Sequence, residues 1–261
     1  MHIYIIVAVC SSGYPCYRNV LSASGLDCVC ISVNKQYKVT AIELQNEINR
    51  RKDLSLSPLK GLIMSSPSNP TGSMLSPDEL RGVCETCDAN NIFFISDEIY
   101  HGITYGTQEQ ATSAQYSDTT IVVNSFSKYY SMTGWRLGWL VVPESLIDVM
   151  NRLSQNMYIN APTLSQIAAV EAFHSEDELE EHVAKYTINR ATVLNTLREL
   201  GIDKHLAPCD GAFYAYVDLG EYGVTNSPEI CRRILEEAGV AITPGNDFED
   251  PSSGLGYQRM R

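Results

Sequence analysis

The chain has 261 residues, of which 44% are hydrophobic, so it can bury a substantial core in one or two lobes. It carries 31 acidic and 19 basic side chains, a formal net charge of −12, and no basic run. This charge balance argues against nucleic-acid binding and against electrostatic docking on anionic membranes.

The first half of the chain alternates between apolar runs and helical patterns. The opening apolar run is far shorter than the roughly 20 residues of a membrane span and lacks a basic flank, so we interpret it as a buried strand. The predicted strands lie at 3–9, 28–33, 61–65, 92–97, 120–125 and 137–142, and the predicted helices near 41–52 and 76–90. This alternation predicts an α/β fold with a mostly parallel sheet covered by helices.

The pattern changes after Pro143. Helices dominate from there, including 162–174, 178–200 and 227–238, and two short strands are predicted at 212–218 and 239–243. We therefore predict two domains: a large one over 1–150 and a smaller α+β domain over 151–261.

The eight cysteines do not form a disulfide framework of the secreted type, which favours a reducing compartment and a cytoplasmic location. Cys84 and Cys87 have the spacing of a metal or redox pair. However, they fall inside a helix that begins with a capping box from Ser76 to Glu79, and no second Cys or His pair stands at zinc-finger spacing. We interpret them as core residues and predict no metal site.

One loop combines an amine with phosphate-binding groups. Lys128 stands eight residues before Arg136 and follows Ser125 and Ser127 at the end of a predicted strand. A lysine can bond to a carbonyl cofactor, while a hydroxyl and a guanidinium can hold its phosphate. This combination points to pyridoxal phosphate. The alternative is a solvated lysine after a buried strand.

Two upstream segments supply groups that a pyridoxal ring requires. A turn containing Asn69 follows the apolar run at 61–64, and the next predicted strand ends at Asp97, three residues before Tyr100. A carboxylate at Asp97 can keep a pyridine nitrogen protonated, which makes the ring an electron sink. Asn69 and Tyr100 can donate hydrogen bonds to the phenolate oxygen of the ring.

These three segments together resemble the class I aminotransferases of the fold type I pyridoxal phosphate enzymes. The resemblance extends from the Gly13-Tyr14-Pro15 turn to Gly211-Ala-Phe-Tyr and Ala241-Ile-Thr-Pro-Gly. It implies that Lys128 carries the cofactor and acts as the catalytic base. The other implied cofactor-binding residues are Asp97, Asn69, Tyr100, Ser125, Arg136 and the ring of Tyr14, with Ser127 as a further candidate.

The resemblance also implies a substrate site. Arg261 would bind the substrate α-carboxylate as a bidentate pair, and Asn69 would be a further substrate-binding residue. The alternatives are turn packing for Tyr14 and a mobile charged terminus for Arg261.

The implied function is transfer of an amino group between an amino acid and a 2-oxo acid by a homodimer with pyridoxal 5'-phosphate. Members of the family usually extend further at both ends, and their N-terminal part supplies another phosphate anchor at a helix N-terminus. We therefore expect a shortened chain. A pyridoxal phosphate-dependent lyase of the same fold and a non-catalytic remnant stay open as alternatives.

The substrate prediction depends on a missing charge. The loop at 156–165 contains no arginine, and Arg152 precedes it on a predicted helix. A side-chain carboxylate buried there would be unpaired, at a cost of several kcal/mol. We therefore expect a monocarboxylic amino donor, aliphatic or aromatic, with 2-oxoglutarate as an acceptor by analogy. Recognition of a dicarboxylate by residues outside this loop remains the alternative.

Overall fold

The structure is a computed structural model that describes residues 5–261. Residues 1–4, which include the start of the strand predicted at 3–9, lie outside the described part of the chain. Within that part, the first strand runs from Ile6 to Cys10.

A six-stranded sheet forms the centre of the fold. Its strands are β1 (Ile6–Cys10), β2 (Asp27–Ile31), β3 (Leu59–Ser65), β4 (Phe93–Asp97), β5 (Ile121–Ser125) and β6 (Gly138–Val141). They are arranged in the order β2-β1-β3-β4-β5-β6, and every neighbouring pair is parallel except β5 and β6. The predicted mostly parallel α/β sheet is confirmed.

Seven α-helices accompany the sheet in the described residues. They are α1 (Pro15–Ala23), α2 (Ala41–Asp53), α3 (Pro77–Ala89), α4 (Ile147–Met157), α5 (Thr163–Ala172), α6 (Glu176–Glu199) and α7 (Ser227–Ala238). A second, two-stranded antiparallel sheet pairs β7 (Val217–Asp218) with β8 (Arg259–Met260). None of the helices within 5–261 is both long enough and apolar enough to cross a membrane.

The main core lies between the sheet and helices α2 and α3. Leu44 of α2, Leu62 of β3 and Val83 of α3 are fully buried there. Cys84 and Cys87 belong to the same cluster, as the sequence predicted. The predicted capping box of α3 is also present, because the Ser76 hydroxyl accepts from the Glu79 N–H while the Glu79 carboxylate accepts from the Ser76 N–H.

Three details differ from the sequence prediction. Helix α1 was not predicted; Pro15 occupies its first turn, where the missing N–H of proline costs nothing. The strand predicted at 239–243 is wrong: Gly239 ends α7 at φ 69°, and beyond it Thr243 exchanges two backbone hydrogen bonds with Arg261 without forming a strand. The strand predicted at 212–218 shrinks to Val217–Asp218, since Ala212 has a left-handed φ of 56°. The domain boundary near residue 150 stays a prediction.

Candidate active site

Strands β3, β4 and β5 end side by side, and the predicted site residues follow those ends. Ser65 aligns with Asp97 across β3 and β4, and Asp97 aligns with Val123 across β4 and β5. Ligands of open α/β sheets bind at this carboxyl edge. The topology therefore brings the turn at 66–72, the Asp97 carboxylate and the loop after Ser125 to one edge of the sheet.

Asp97 is held by two donors. Its Oδ2 accepts from the Tyr17 hydroxyl at 2.5 Å and its Oδ1 accepts from the Ile99 N–H at 3.1 Å. Burial raises the pKa of the Asp97 carboxyl above its ordinary value, and both hydrogen bonds and the charge of Lys128 oppose that rise. The carboxylate is thus fixed in orientation and lies within electrostatic reach of the lysine.

Sequence reasoning missed Tyr17. It lies on α1, and because that helix was not predicted, nothing in the sequence indicated which way the tyrosine faces. The pKa of the Tyr17 hydroxyl is raised well above its ordinary value by burial and by the Asp97 charge, so it stays a donor. The signal that could have found it is the proline after Tyr14, which is typical of the first turn of a helix.

The Lys128 amine is half-buried and unpartnered. Its Nζ lies 5.8 Å from the ring centroids of both Tyr100 and Phe213. It makes neither a hydrogen bond nor an ion pair with any residue in 5–261. An amine in this setting, next to two aromatic rings and near a carboxylate, is free to bond to a ligand.

Tyr100 is buried, and its hydroxyl hydrogen-bonds to that of Tyr214. Burial raises the pKa of the Tyr100 phenol well above its ordinary value, so it remains neutral. Tyr214 was not predicted as a site residue, although it belongs to the Gly211-Ala-Phe-Tyr segment that carries part of the resemblance. A backbone hydrogen bond from the Gly211 N–H to the Gly72 carbonyl at 2.9 Å positions that segment against the Asn69 turn.

Arg261 lies next to Asn69 in the structure. Its Nη1 donates to the Asn69 Oδ1 at 2.9 Å, and its guanidinium lies 4.8 Å from the ring centroid of Tyr214 and 4.6 Å from that of Phe248. Two backbone hydrogen bonds with Thr243 fix its main chain. No carboxylate of the described chain pairs with this guanidinium, so it is available to bind one from a ligand.

The predicted phosphate-binding groups share the loop of Lys128. The Ser125 hydroxyl donates to the Leu137 carbonyl at 3.1 Å and accepts from the Ser127 N–H at 3.0 Å. Arg136 is exposed and has a left-handed φ of 51°, and its Nη1 donates to the Thr133 carbonyl at 2.9 Å. These hydrogen bonds join residues within the loop, so Ser125, Arg136 and Lys128 belong to one internally bonded loop.

Tyr14 is exposed and lies at the start of α1. Its ring packs edge-on against that of Tyr17, with centroids 5.6 Å apart and planes at 87°. The structure therefore places the Tyr14 ring against that of Tyr17, which in turn donates to the Asp97 carboxylate.

These residues fit pyridoxal 5'-phosphate. The site combines an unpartnered amine, a carboxylate fixed by two hydrogen bonds, a buried phenol and an amide, and a loop that carries a hydroxyl and an exposed guanidinium. Each matches one functional group of that cofactor: its aldehyde, its ring nitrogen, its phenolate oxygen and its phosphate.

Comparisons with known proteins identify the family of the chain. A sequence model of the family described as "Aminotransferase class I and II" matches residues 5–254. A curated protein named valine–pyruvate aminotransferase from Mycobacterium tuberculosis is 46% identical over 253 residues, which are 95% of this chain and 63% of that protein. An aspartate aminotransferase from Bacillus sp. strain YM-2 is 34% identical, over 92% of this chain and 61% of its own length.

Solved structures give the same result. The crystal structure of an aminotransferase from Mycobacterium tuberculosis has a TM-score of 0.90 and 44% identity, and covers 100% of this chain and 66% of its own. A structure of a putative aminotransferase from Silicibacter pomeroyi has a TM-score of 0.88 and 40% identity, with coverages of 100% and 67%. The chain thus spans about 63% of the length of the curated relative from Mycobacterium tuberculosis.

Proposed function

The chain belongs to the class I and II aminotransferase family, and from this premise we propose that it transfers an amino group between an amino acid and a 2-oxo acid with pyridoxal 5'-phosphate as its cofactor. The observation that carries the proposal is the unpartnered Lys128 amine, close enough to Asp97 for its charge to act on that carboxylate, at the carboxyl edge of the sheet. The names of the relatives support the same reaction type.

Pyridoxal phosphate, when bound, supplies an aldehyde that joins amines and a protonated ring that draws electrons from the bond being broken. Asp97 would hold the proton on the ring nitrogen, because a carboxylate fixed by Tyr17 and Ile99 is aimed at one position. Tyr100 and Asn69 would donate to the phenolate oxygen, and Ser125 and Arg136 would bind the phosphate.

Lys128 has two roles in this proposal. Its Nζ would hold the cofactor through the aldehyde, and as a free amine it would accept the proton from the substrate Cα. Both roles require an amine that is not already held by a hydrogen bond or an ion pair within the protein, and the Lys128 amine has neither in the described residues. The rings of Tyr100 and Phe213 lie near Nζ and supply apolar surface beside it.

Arg261 would bind the α-carboxylate of the substrate through its guanidinium. Its Nη1 bond to Asn69 sets the orientation of the fork, and the rings of Tyr214 and Phe248 support its faces. We further propose a monocarboxylic amino donor. The absence of arginine from 156–165 and the 46% identity to a protein named valine–pyruvate aminotransferase support an aliphatic donor, with valine and pyruvate as the first pair to test.

We also propose a cytoplasmic homodimer. Eight free cysteines support a reducing compartment. Support for self-association comes from Met157, Ile159 and Leu164, large apolar side chains that are 72%, 79% and 76% exposed.

The test is spectroscopic. The purified chain, mixed with pyridoxal phosphate and then dialysed, should keep an absorption band in the near-ultraviolet to visible range, and Lys128→Met should not. Adding valine, alanine, tyrosine or aspartate should then discharge the band, with the monocarboxylic donors faster. Failure to retain any cofactor would favour a non-catalytic chain, and release of ammonia instead of transfer to an oxo acid would favour a lyase. Faster discharge by aspartate would contradict the donor class alone.

A further inference from the structure

A cavity lies between α6 and the segment at 209–215. Its volume is about 310 Å³, within the range of small-molecule sites. Lys128, Asp97 and Arg261 do not line it, so it is separate from the reaction site, although the two share the ring of Phe213 and Tyr214. Its walls include the rings of Tyr105, Tyr186 and Phe213, the side chain of Val193, and one charged group, Arg190.

Arg190 lacks a counter-ion. Its Nε donates to the Cys209 carbonyl at 2.6 Å, and its guanidinium lies 5.3 Å from the ring centroid of Tyr105. Across the described chain, its Nη1 and Nη2 form no hydrogen bond, and no carboxylate lies within ion-pair distance. The nearby Asp210 instead accepts from the Met74 N–H at 3.2 Å. A half-buried cation without a partner gives up hydration without an ionic bond in return, and a bound anion would restore it.

A second donor lies one helical turn away. Tyr186 and Arg190 are four residues apart on α6 and therefore lie on the same face of the helix. The Tyr186 hydroxyl has no hydrogen-bond partner among residues 5–261, while its ring packs 5.6 Å from that of Phe213. The cavity thus presents a free guanidinium fork and a free hydroxyl inside mostly aromatic and aliphatic walls.

We propose that this cavity is a binding site for a small carboxylic acid with an aromatic or branched apolar body. Arg190 pairs with the carboxylate through Nη1 and Nη2, since a guanidinium matches a carboxylate in a bidentate geometry. The rings of Tyr105, Tyr186 and Phe213 contact the apolar body, with Val193 completing the wall. An inorganic anion would satisfy the charge but would leave these apolar walls unfilled.

Calorimetric titration of the full chain with phenylacetate tests this site. Phenylacetate carries neither an amino nor an oxo group, so it cannot enter amino transfer. We expect it to bind, and Arg190→Met to weaken the binding by about tenfold to a hundredfold, the range for a hydrogen bond to a charged group. Val193→Trp, which fills the cavity and leaves Arg190 in place, should weaken it as well. Arg198→Met is the matched control, because Arg198 lies on the same helix, is exposed and lies 3.7 Å from Asp203.

Arg261→Met separates this site from the reaction site. The proposal predicts that this variant keeps a phenylacetate site, which is lost when Arg190→Met is added, and that phenylacetamide, the neutral amide, binds that site at least tenfold more weakly than the acid. Loss of binding in Arg261→Met with retention in Arg190→Met would place the acid at the substrate site and overturn the proposal. Absence of measurable binding, or equal binding of acid and amide, would overturn it too. If Arg190→Met does not fold, Val193→Trp and Arg261→Met decide between these outcomes.

Discussion

At the scale of single residues, the site depends on the burial and hydrogen bonding of the Asp97 carboxylate. Burial makes the ionised form of Asp97 costly, and the Tyr17 hydroxyl and the Ile99 N–H recover part of that cost. The two hydrogen bonds therefore offset part of the cost of burial and hold the carboxylate in one orientation, in which it can pair with a cationic ring nitrogen. Two predictions follow from this balance.

Tyr17→Phe removes one donor to Asp97. Because that hydrogen bond lowers the pKa of the Asp97 carboxyl, its loss raises the pKa further and shrinks the ionised fraction at a given pH. We expect the acidic limb of the pH–rate profile to move to higher pH. Tyr14→Phe is the control, since the Tyr14 hydroxyl makes no hydrogen bond to Asp97 within the described residues. Identical acidic limbs in the two variants and the wild type would contradict this account.

Asp97→Asn removes the charge and keeps the shape. We expect turnover to fall by about a hundredfold or more, because a neutral amide does not stabilise a cationic ring. The cofactor-free variant should also be more stable than the wild type at neutral pH. Because folding raises the pKa of the Asp97 carboxyl, the wild type loses free energy of unfolding as the pH rises from the ordinary carboxyl pKa of 3.8 towards the pKa in the folded state. Asparagine does not titrate, so the variant has no such loss. Thermal melts at several pH values should show that the stability difference between the variant and the wild type grows with pH. Near-normal turnover of the variant would contradict the role of Asp97 in holding the ring proton.

At the scale of elements, the sequence indicates which strand ends carry polar side chains, but not which way a neighbouring helix or turn faces. Ends of buried strands can be located from apolar runs, so the sequence alone predicts that Asn69, Asp97 and Lys128 follow strand ends. Tyr17 and Tyr214 were missed because their position depends on which way α1 and the 211–214 segment face. A side-chain direction set by tertiary contacts leaves no periodic signal in the sequence.

Gly211 tests the contact between the 211–214 segment and the turn of Asn69. A Cβ at this position would lie 2.5 Å from the Pro67 Cγ and 2.9 Å from the Ile103 carbonyl oxygen. Gly211→Ala should therefore lower the free energy of unfolding by about 1 to 3 kcal/mol, measured by denaturant titration. Gly134→Ala is the control, since a Cβ added at this position would have nothing within 4 Å and the backbone φ is not left-handed. Equal stability of the two variants would show that the segment moves aside freely.

At the scale of the whole molecule, the apolar surface is uneven. The residues from 140 to 173, which include α4 and α5, expose a run of large hydrophobic side chains that a solvated monomer rarely presents. Between the sheet and helices α2 and α3, by contrast, the hydrophobic side chains of the main core are buried. Self-association through the exposed surface would bury it.

We expect the chain to form a homodimer at micromolar concentration, observed by light scattering. Met157→Glu together with Leu164→Glu should shift the equilibrium towards monomer, because a charge at a buried apolar contact is costly. Ile42→Glu is the control, since Ile42 is 68% exposed on α2, away from this surface in the chain. A wild type that is a well-behaved monomer under these conditions would contradict the prediction.

Lys128 is the residue proposed to carry the cofactor, and borohydride reduction identifies the lysine that does so. The chain is incubated with pyridoxal phosphate, reduced, digested and mapped by mass spectrometry. We predict a pyridoxyl group on the peptide that contains Lys128 and no specific label in Lys128→Met. Specific labelling of a different lysine, or retention of cofactor with no label on Lys128, would contradict the assignment and the function built on it.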